Sequence, residues 1–217
     1  MRKELEGSEL YEARFGFRER RSNARFWAII LLFFTLLYGI RLYWTQTFGG
    51  VQIDGNSMNY TLYDGQQLLM KYSKDGKDAK RGDVIVVYVG DYPECSNVGS
   101  GYLIKRLIAI EGDSVKCMDG QIYIQYAGES EYTKLDEPYA HYKSDYDKQM
   151  YDFGAYKVGE GEIFFLGDNR NNSVDSRYGI TNGSHLANRL YKAEDIFGIV
   201  PEWAIENQKM LEKIFFH

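Results

Sequence analysis

The longest apolar stretch of the chain, FWAIILLFFTLLYGI (Phe26–Ile40), shows no polar stripe at helical spacing. A core helix of a soluble protein keeps one polar side; a helix apolar all round belongs in a large core or a bilayer. Arg41 interrupts the run, and LYWTQTF follows it without another charge. A long Arg side chain snorkels to the headgroups, so residues 26–48 supply the ~20 positions a spanning helix needs. Trp27, Tyr38, Tyr43 and Trp44 are candidate interfacial anchors. The following WTQTFGG offers no small-residue cleavage site. The pattern predicts an uncleaved signal anchor over 26–48, with a tail at 1–25 and a large domain at 49–217. Arg18, Arg20, Arg21 and Arg25 precede the run, and after Arg41 the next basic residue is Lys71. The positive-inside tendency places the tail in the cytoplasm and the domain outside.

Beyond the anchor the pattern changes to short apolar runs between turn residues, the signature of strands. VQI (51–53), QQLLMKY (66–72), DVIVVYV (83–89), YLIKRLIAI (102–110) and EIFFL (162–166) read as strands. SVKCM and QIYIQY flank Asp119-Gly120, a hairpin signal. IFGIVPEWAI (196–205) reads as a last strand before a short amphipathic tail. Residues 127–159 are acidic and tyrosine-rich and read as an insertion or cap, with a short helix over 144–151. The elements predict a mainly β fold: an antiparallel β domain with a smaller inserted cap region, preceded by one transmembrane helix. No βαβ alternation is present.

Composition narrows the function classes. Nineteen tyrosines among 217 residues favour strands. A formal charge of -5 argues against a general nucleic-acid partner. The three histidines form no metal-ligand pattern, and Cys95 and Cys117 do not match zinc-site spacing. The cysteines leave a disulfide and two thiols equally open. There is no phosphate-binding glycine loop and no GxSxG elbow.

Three stretches carry candidate chemistry. GNSMNYTL (55–62) sets Ser57 in a turn. No histidine has a recognisable partner for a Ser-His-Asp arrangement. A lysine replaces histidine as base only when neutral, and desolvation favours the neutral form. Lys105, in YLIKRLIAI, lies among apolar residues; strict alternation puts it on one face with Leu103 and Leu107, and Arg106 on the other. The alternative is an edge strand whose charges discourage aggregation. GDNRNNSVDSRYG (167–179) follows an apolar strand. Here Ser173 is placed to orient a lysine, and Asp175 and Arg177 to pair and brace the loop.

Together these stretches resemble the boxes of type I signal peptidases, the membrane-anchored Ser/Lys endopeptidases of bacteria. GNSMNYTL resembles the nucleophile box, Gly82-Asp83 and the strand after it the second box, KRLIAIEGD the lysine box, and GDNRNNSVDSR the last box nearly residue for residue. The resemblance covers most of residues 51–200 in family order, behind a family-like anchor. It implies Ser57 as nucleophile, its N–H as an oxyanion donor, and Lys105 as general base. Ser173 then positions the lysine, and Asp175 and Arg177 form the structural pair. Ile53, Met58 and Ile104 match the surroundings of the shallow substrate pockets, which select small residues at -1 and -3. The implied partners are secreted preproteins carrying signal peptides and the lipid bilayer, with no metal and no cofactor. Apolar surface near Ile53 and Met58 is expected to reach the headgroups.

The chain departs from the family pattern at Tyr60, where the family has proline, at Ala109–Asp113, and at Gly55, where some relatives have serine. These departures point to a divergent paralogue with a restricted substrate set, such as pilins. Other readings are a relative acting as a chaperone or processing factor for secreted subunits, and a cytoplasmic Ser/Lys autoprotease of the repressor type. The intact Ser57 and Lys105 disfavour the first; the anchor and the last box disfavour the second.

Overall fold

In the computed structural model, residues 7–90, 99–144, 152–177 and 191–215 are described. The chain divides into two compact units at Thr47 and Phe48. The first is built on one helix, α1 (Gly7–Thr47). Its segment Asn23–Thr47, whose most apolar 18-residue stretch has a mean hydropathy of 1.9, is long and apolar enough to cross a membrane. Leu31 and Leu32 are each 70% exposed on it. Two of its hydroxyls are satisfied within the helix: Thr35 Oγ1 donates to Leu31 O and Thr45 Oγ1 to Arg41 O, one turn back. That internal pairing is what a lipid environment demands.

The second unit is built from antiparallel strands: β1 (Phe48–Gln52), β2 (Gln67–Tyr72), β3 (Val84–Tyr88), β4 (Tyr102–Ile110), β5 (Ser114–Met118), β6 (Gln121–Gln125), β7 (Thr133–Lys134), β8 (Phe153–Lys157), β9 (Glu162–Leu166), β10 (Tyr191–Lys192) and β11 (Ile196–Val200). Seven of them form one sheet in the order β1-β2-β11-β3-β4-β9-β10, and the other four a second sheet, β7-β6-β5-β8. The hairpin between β5 and β6 turns at Asp119 (φ 51°) and Gly120 (φ 70°). Two consecutive positive φ angles are what a two-residue turn of type I′ requires.

Alternation in β9 shows how the core is arranged. Phe164 and Leu166 join Val115, Ile122 and Ile124 of the second sheet in one apolar cluster. Ile163 and Phe165 join Ile85, Val87 and Leu107 in another. Fully burying each such side chain contributes ~1.5–3 kcal/mol. Cys117 belongs to the first cluster, where burial pushes its thiol up to about 12. It is a core residue, protonated at neutral pH. Cys95 and residues 145–151 of the expected helix lie outside the described residues.

The last strand is shorter than the pattern suggests. β11 ends at Val200, and Pro201 (φ -65°) opens α2 (Glu202–Glu206), followed by α3 (Gln208–Phe215). Proline cannot donate to a ladder, and its fixed φ suits a helix start. The apolar run that continues past Pro201 is therefore helical, and α3 is the amphipathic tail.

Candidate active site

β4 is an interior strand, paired with β3 on one side and β9 on the other. That rules out the edge-strand reading of its two adjacent cations. Lys105 sits opposite Ile85 and is 2% exposed. Its Nζ lies 2.7 Å from Ser57 Oγ and 2.9 Å from Ile104 O. A neutral amine has two N–H donors and one lone pair. Donation to Ile104 O turns the group on its axis and leaves the lone pair available to the serine hydroxyl.

Ser57 stands in a turn after β1. Asn59 N–H donates to Asn56 O, and Thr61 and Leu62 N–H both donate to Met58 O. Gly55 enters the turn with φ +88°, a conformation glycine adopts readily, and its N–H donates to Asp64 Oδ1 at 2.8 Å. The Asn59–Tyr60 peptide is cis. Below the turn passes the segment after β9. A Cβ on Gly167 would stand 2.6 Å from Ser57 O and 2.6 Å from Ser173 Cβ, so only glycine lets these chains approach so closely.

Asp175 and Arg177 are buried and paired through two Arg177 nitrogens, Nε to Oδ1 at 2.9 Å and Nη2 to Oδ2 at 2.8 Å. Gly167 N–H also donates to Asp175 Oδ2 at 3.1 Å. Burial by itself would push the Asp175 carboxyl up. The Arg177 guanidinium and the hydrogen bonds outweigh it and hold the carboxyl below its ordinary value. The Ser173 hydroxyl is buried without a hydrogen bond of good geometry, though it lies close enough to Asp175 to help hold that charge.

A cleft of about 560 Å³ opens over these groups, lined among others by Ile53, Ser57, Met58, Ile104, Lys105 and Ser173. The structure thus brings together both dyad candidates, the expected lysine-positioning serine and all three expected pocket residues. Asp175 and Arg177 lie outside that lining, bonded to Gly167 N–H and Arg170 O. Ile53 and Met58 are 4% and 1% exposed. Buried in the domain, they line the cleft.

Several groups escaped the sequence reading. Asp168 is 1% exposed and knots three segments: it accepts from Arg106 Nε at 2.9 Å, Arg106 Nη2 at 2.7 Å and Thr61 Oγ1 at 2.6 Å. Through Arg106, Asp168 is thus tied to the strand that carries Lys105. Arg170, fully buried, forks onto Glu137 and donates to Gly167 O at 3.1 Å. Burial would lower its pKa; Glu137 more than reverses that and keeps it charged. This pair ties the segment after β7 to the loop beneath the serine. The only signal for either contact in the sequence is the charged Asp168-Asn169-Arg170 run beside Gly167.

The profile of the family described as "Signal peptidase, peptidase S26" matches residues 24–209. The chain belongs to this family. Signal peptidase I P of Bacillus subtilis subsp. natto is 31% identical over 186 residues, 84% of this chain and 89% of its own length. Signal peptidase I of Bacillus licheniformis is 38% identical over 134 residues, 59% of this chain and 65% of its own. A solved structure of a signal peptidase I from Enterococcus faecalis V583 aligns to 58% of this chain and 98% of its own, at 24% identity and a TM-score of 0.40. The family is one of peptidases, and the cleft is where substrate chemistry is to be sought.

Proposed function

We propose that the chain is a signal peptidase I, a serine endopeptidase that removes signal peptides from secreted preproteins with a Ser57/Lys105 dyad. The observation that supports this most directly is the buried Lys105 amine 2.7 Å from the Ser57 hydroxyl, on the wall of an open cleft. A preprotein lies extended in the cleft, its main chain bonding like an added strand. Small side chains at -1 and -3 fill the shallow hollows by Ile53, Met58 and Ile104, where larger ones clash.

Neutral Lys105 accepts the Ser57 proton as Oγ attacks the scissile carbonyl carbon. The carbonyl π electrons move to oxygen, and the Ser57 N–H stabilises that oxyanion. Ser173 steadies the Lys105 ammonium. The ammonium then gives its proton to the leaving amine as the C–N bond breaks. Water, deprotonated by the same lysine, attacks the acyl carbon; the bond from that carbon to Ser57 Oγ breaks, and the lysine returns the proton to Oγ. In the membrane, residues 1–25 are cytoplasmic, residues 26–48 anchor the chain, and the domain works outside against substrates held in the same leaflet.

The test is cleavage of a preprotein panel by the purified full chain in detergent, with cut sites mapped by mass spectrometry. Ser57→Ala, Lys105→Ala and Lys105→Arg should each abolish cleavage with the fold intact, because nucleophile and base act as a unit. A guanidinium cannot act as the base. Substantial turnover by any of the three sinks the dyad.

A further inference from the structure

Two carbonyl groups bracket Ser57, and one residue holds both. Asn169 donates its main-chain N–H to Ser57 O at 3.0 Å. Its side-chain amide donates to Asn56 O, also at 3.0 Å. Asn56 O takes a further bond from Asn59 N–H, at 3.2 Å, inside the turn. Asn169 is itself fixed from the opposite side. His141 N–H donates to Asp168 O at 2.8 Å and Arg170 N–H donates to His141 O at 2.9 Å, so His141 bridges across Asn169 in parallel. The His141 ring packs against Tyr60 at a tilt of 56°, centroids 4.4 Å apart.

The peptide between Asn56 and Ser57 is trans. In a trans peptide the C=O and N–H lie in one plane and point in opposite directions. Fastening Asn56 O to Asn169 therefore sets the direction of the Ser57 N–H. Among the described residues that N–H meets no acceptor. We propose that Asn169 is a positioning residue that aims the Ser57 N–H at the oxyanion. The inference rests on Ser57 being the nucleophile. Asn169 touches neither substrate nor reacting atoms and acts through the Asn56–Ser57 peptide. The side chain must present a donor at this reach. Alanine removes it, and aspartate, of the same shape, sets a carboxylate against a carbonyl oxygen. Neither change touches the main-chain bond to Ser57 O, so the turn keeps one of its two holds in both variants.

The experiment uses the full chain in detergent micelles with a fluorogenic signal-peptide substrate. Deleting a whole oxyanion donor costs ~10²–10³-fold in kcat. Loosening one should cost about 10- to 100-fold in Asn169→Ala, and more in Asn169→Asp. KM should change by less than about threefold, because the interaction gained is specific to the transition state. The position of the limb in the pH–rate profile should not move. A substrate-like peptide aldehyde, whose carbonyl carbon bonds to Ser57 Oγ while its carbonyl oxygen takes the negative charge, should bind more weakly by the same factor as kcat. The cleaved product peptide should bind as to wild type. Unchanged kcat, a loss carried by KM, or equal weakening of aldehyde and product overturns the proposal. So does a melting temperature lowered by more than about 10 °C, which assigns Asn169 a structural part. Ser57→Ala and Lys105→Ala run alongside. Activity in either removes the dyad reading itself, whereas a dead dyad with fully active Asn169→Ala removes only the role given to Asn169.

Discussion

Replacing Gly167 by alanine adds one methyl group where the structure has no room for it. The new Cβ would stand 2.6 Å from Ser57 O and 2.6 Å from Ser173 Cβ, with Ser173 Oγ also in its path. The hydroxyl can rotate away. The other two atoms move only with their chains. Ordinary separation is ~3.5 Å, so about 0.9 Å of displacement must be shared between the strand end and the serine turn. Overpacking of this kind costs ~1–3 kcal/mol. On a chain of this length each kcal/mol lowers Tm by ~2–4 °C. The effect on rate is larger, because misplacing a reacting group by ~1 Å costs ~10²-fold. Gly167→Ala should therefore lose about 100-fold in kcat/KM while remaining folded, with Tm lower by about 2–12 °C. Ser173→Gly in the same background removes two of the three close contacts. It should recover part of the Tm but little of the rate, since the contact with Ser57 O persists. Peptide cleavage and thermal melts on purified protein in detergent give both numbers. Wild-type kcat/KM in Gly167→Ala refutes the close approach at the nucleophile.

Three further outcomes follow from the described contacts. kcat/KM on a soluble peptide should rise with pH along a limb centred well below the ~10.4 of free lysine, because Lys105 is 2% exposed; a limb near pH 10 points to another base. The Asp175 carboxyl is held below its ordinary value, so the Asp175–Arg177 pair stabilises fully above about pH 4 and is lost as pH falls through the folded-state value. Arg177→Met, which strands a buried carboxylate, should cost about 3–5 kcal/mol at pH 7 and less in acid, read by denaturant melts at both pH values; an equal cost at both is the contrary result. Protease added to right-side-out cells should digest the large domain and spare residues 1–25, and protection of the domain reverses the proposed topology.

The strands of the main sheet are legible in the chain because each pairs a short apolar run with turn residues. YLIKRLIAI is β4 residue for residue. Asp-Gly at 119–120 marks a turn that only positive φ angles can close. Short pairings are not legible. β7 and β10 hold two residues each, and their existence depends on β6 and β9 being there to receive them. The same holds within the site. Ser57 and Lys105 stand out locally, one by its turn and the other as a cation in apolar company. Asp168 does not, because its partners Thr61 and Arg106 lie 107 and 62 positions away. An acidic residue in a polar loop looks like a turn former until the fold brings those partners to it. Ser173 shows the reverse limit: its sequence neighbours locate it at the cleft, but not which atom its hydroxyl meets.

Lys105 and Arg106 are consecutive on an interior strand, and the pleat sends them to opposite faces: an amine to Ser57 Oγ, a guanidinium to Asp168. The two cations are not interchangeable, since one can surrender a proton at workable pH and the other cannot. A slip of β4 by a single residue would exchange them. It would put a permanently charged group beside the serine and leave the buried carboxylate with a shorter, single-pronged partner. The irregularity in the β4–β9 ladder between Leu107 and Ala109 sets the phase of the strand just past this pair. A correctly registered sheet and a competent base are therefore one condition, and turnover reports on strand alignment as directly as any spectroscopic probe of the fold.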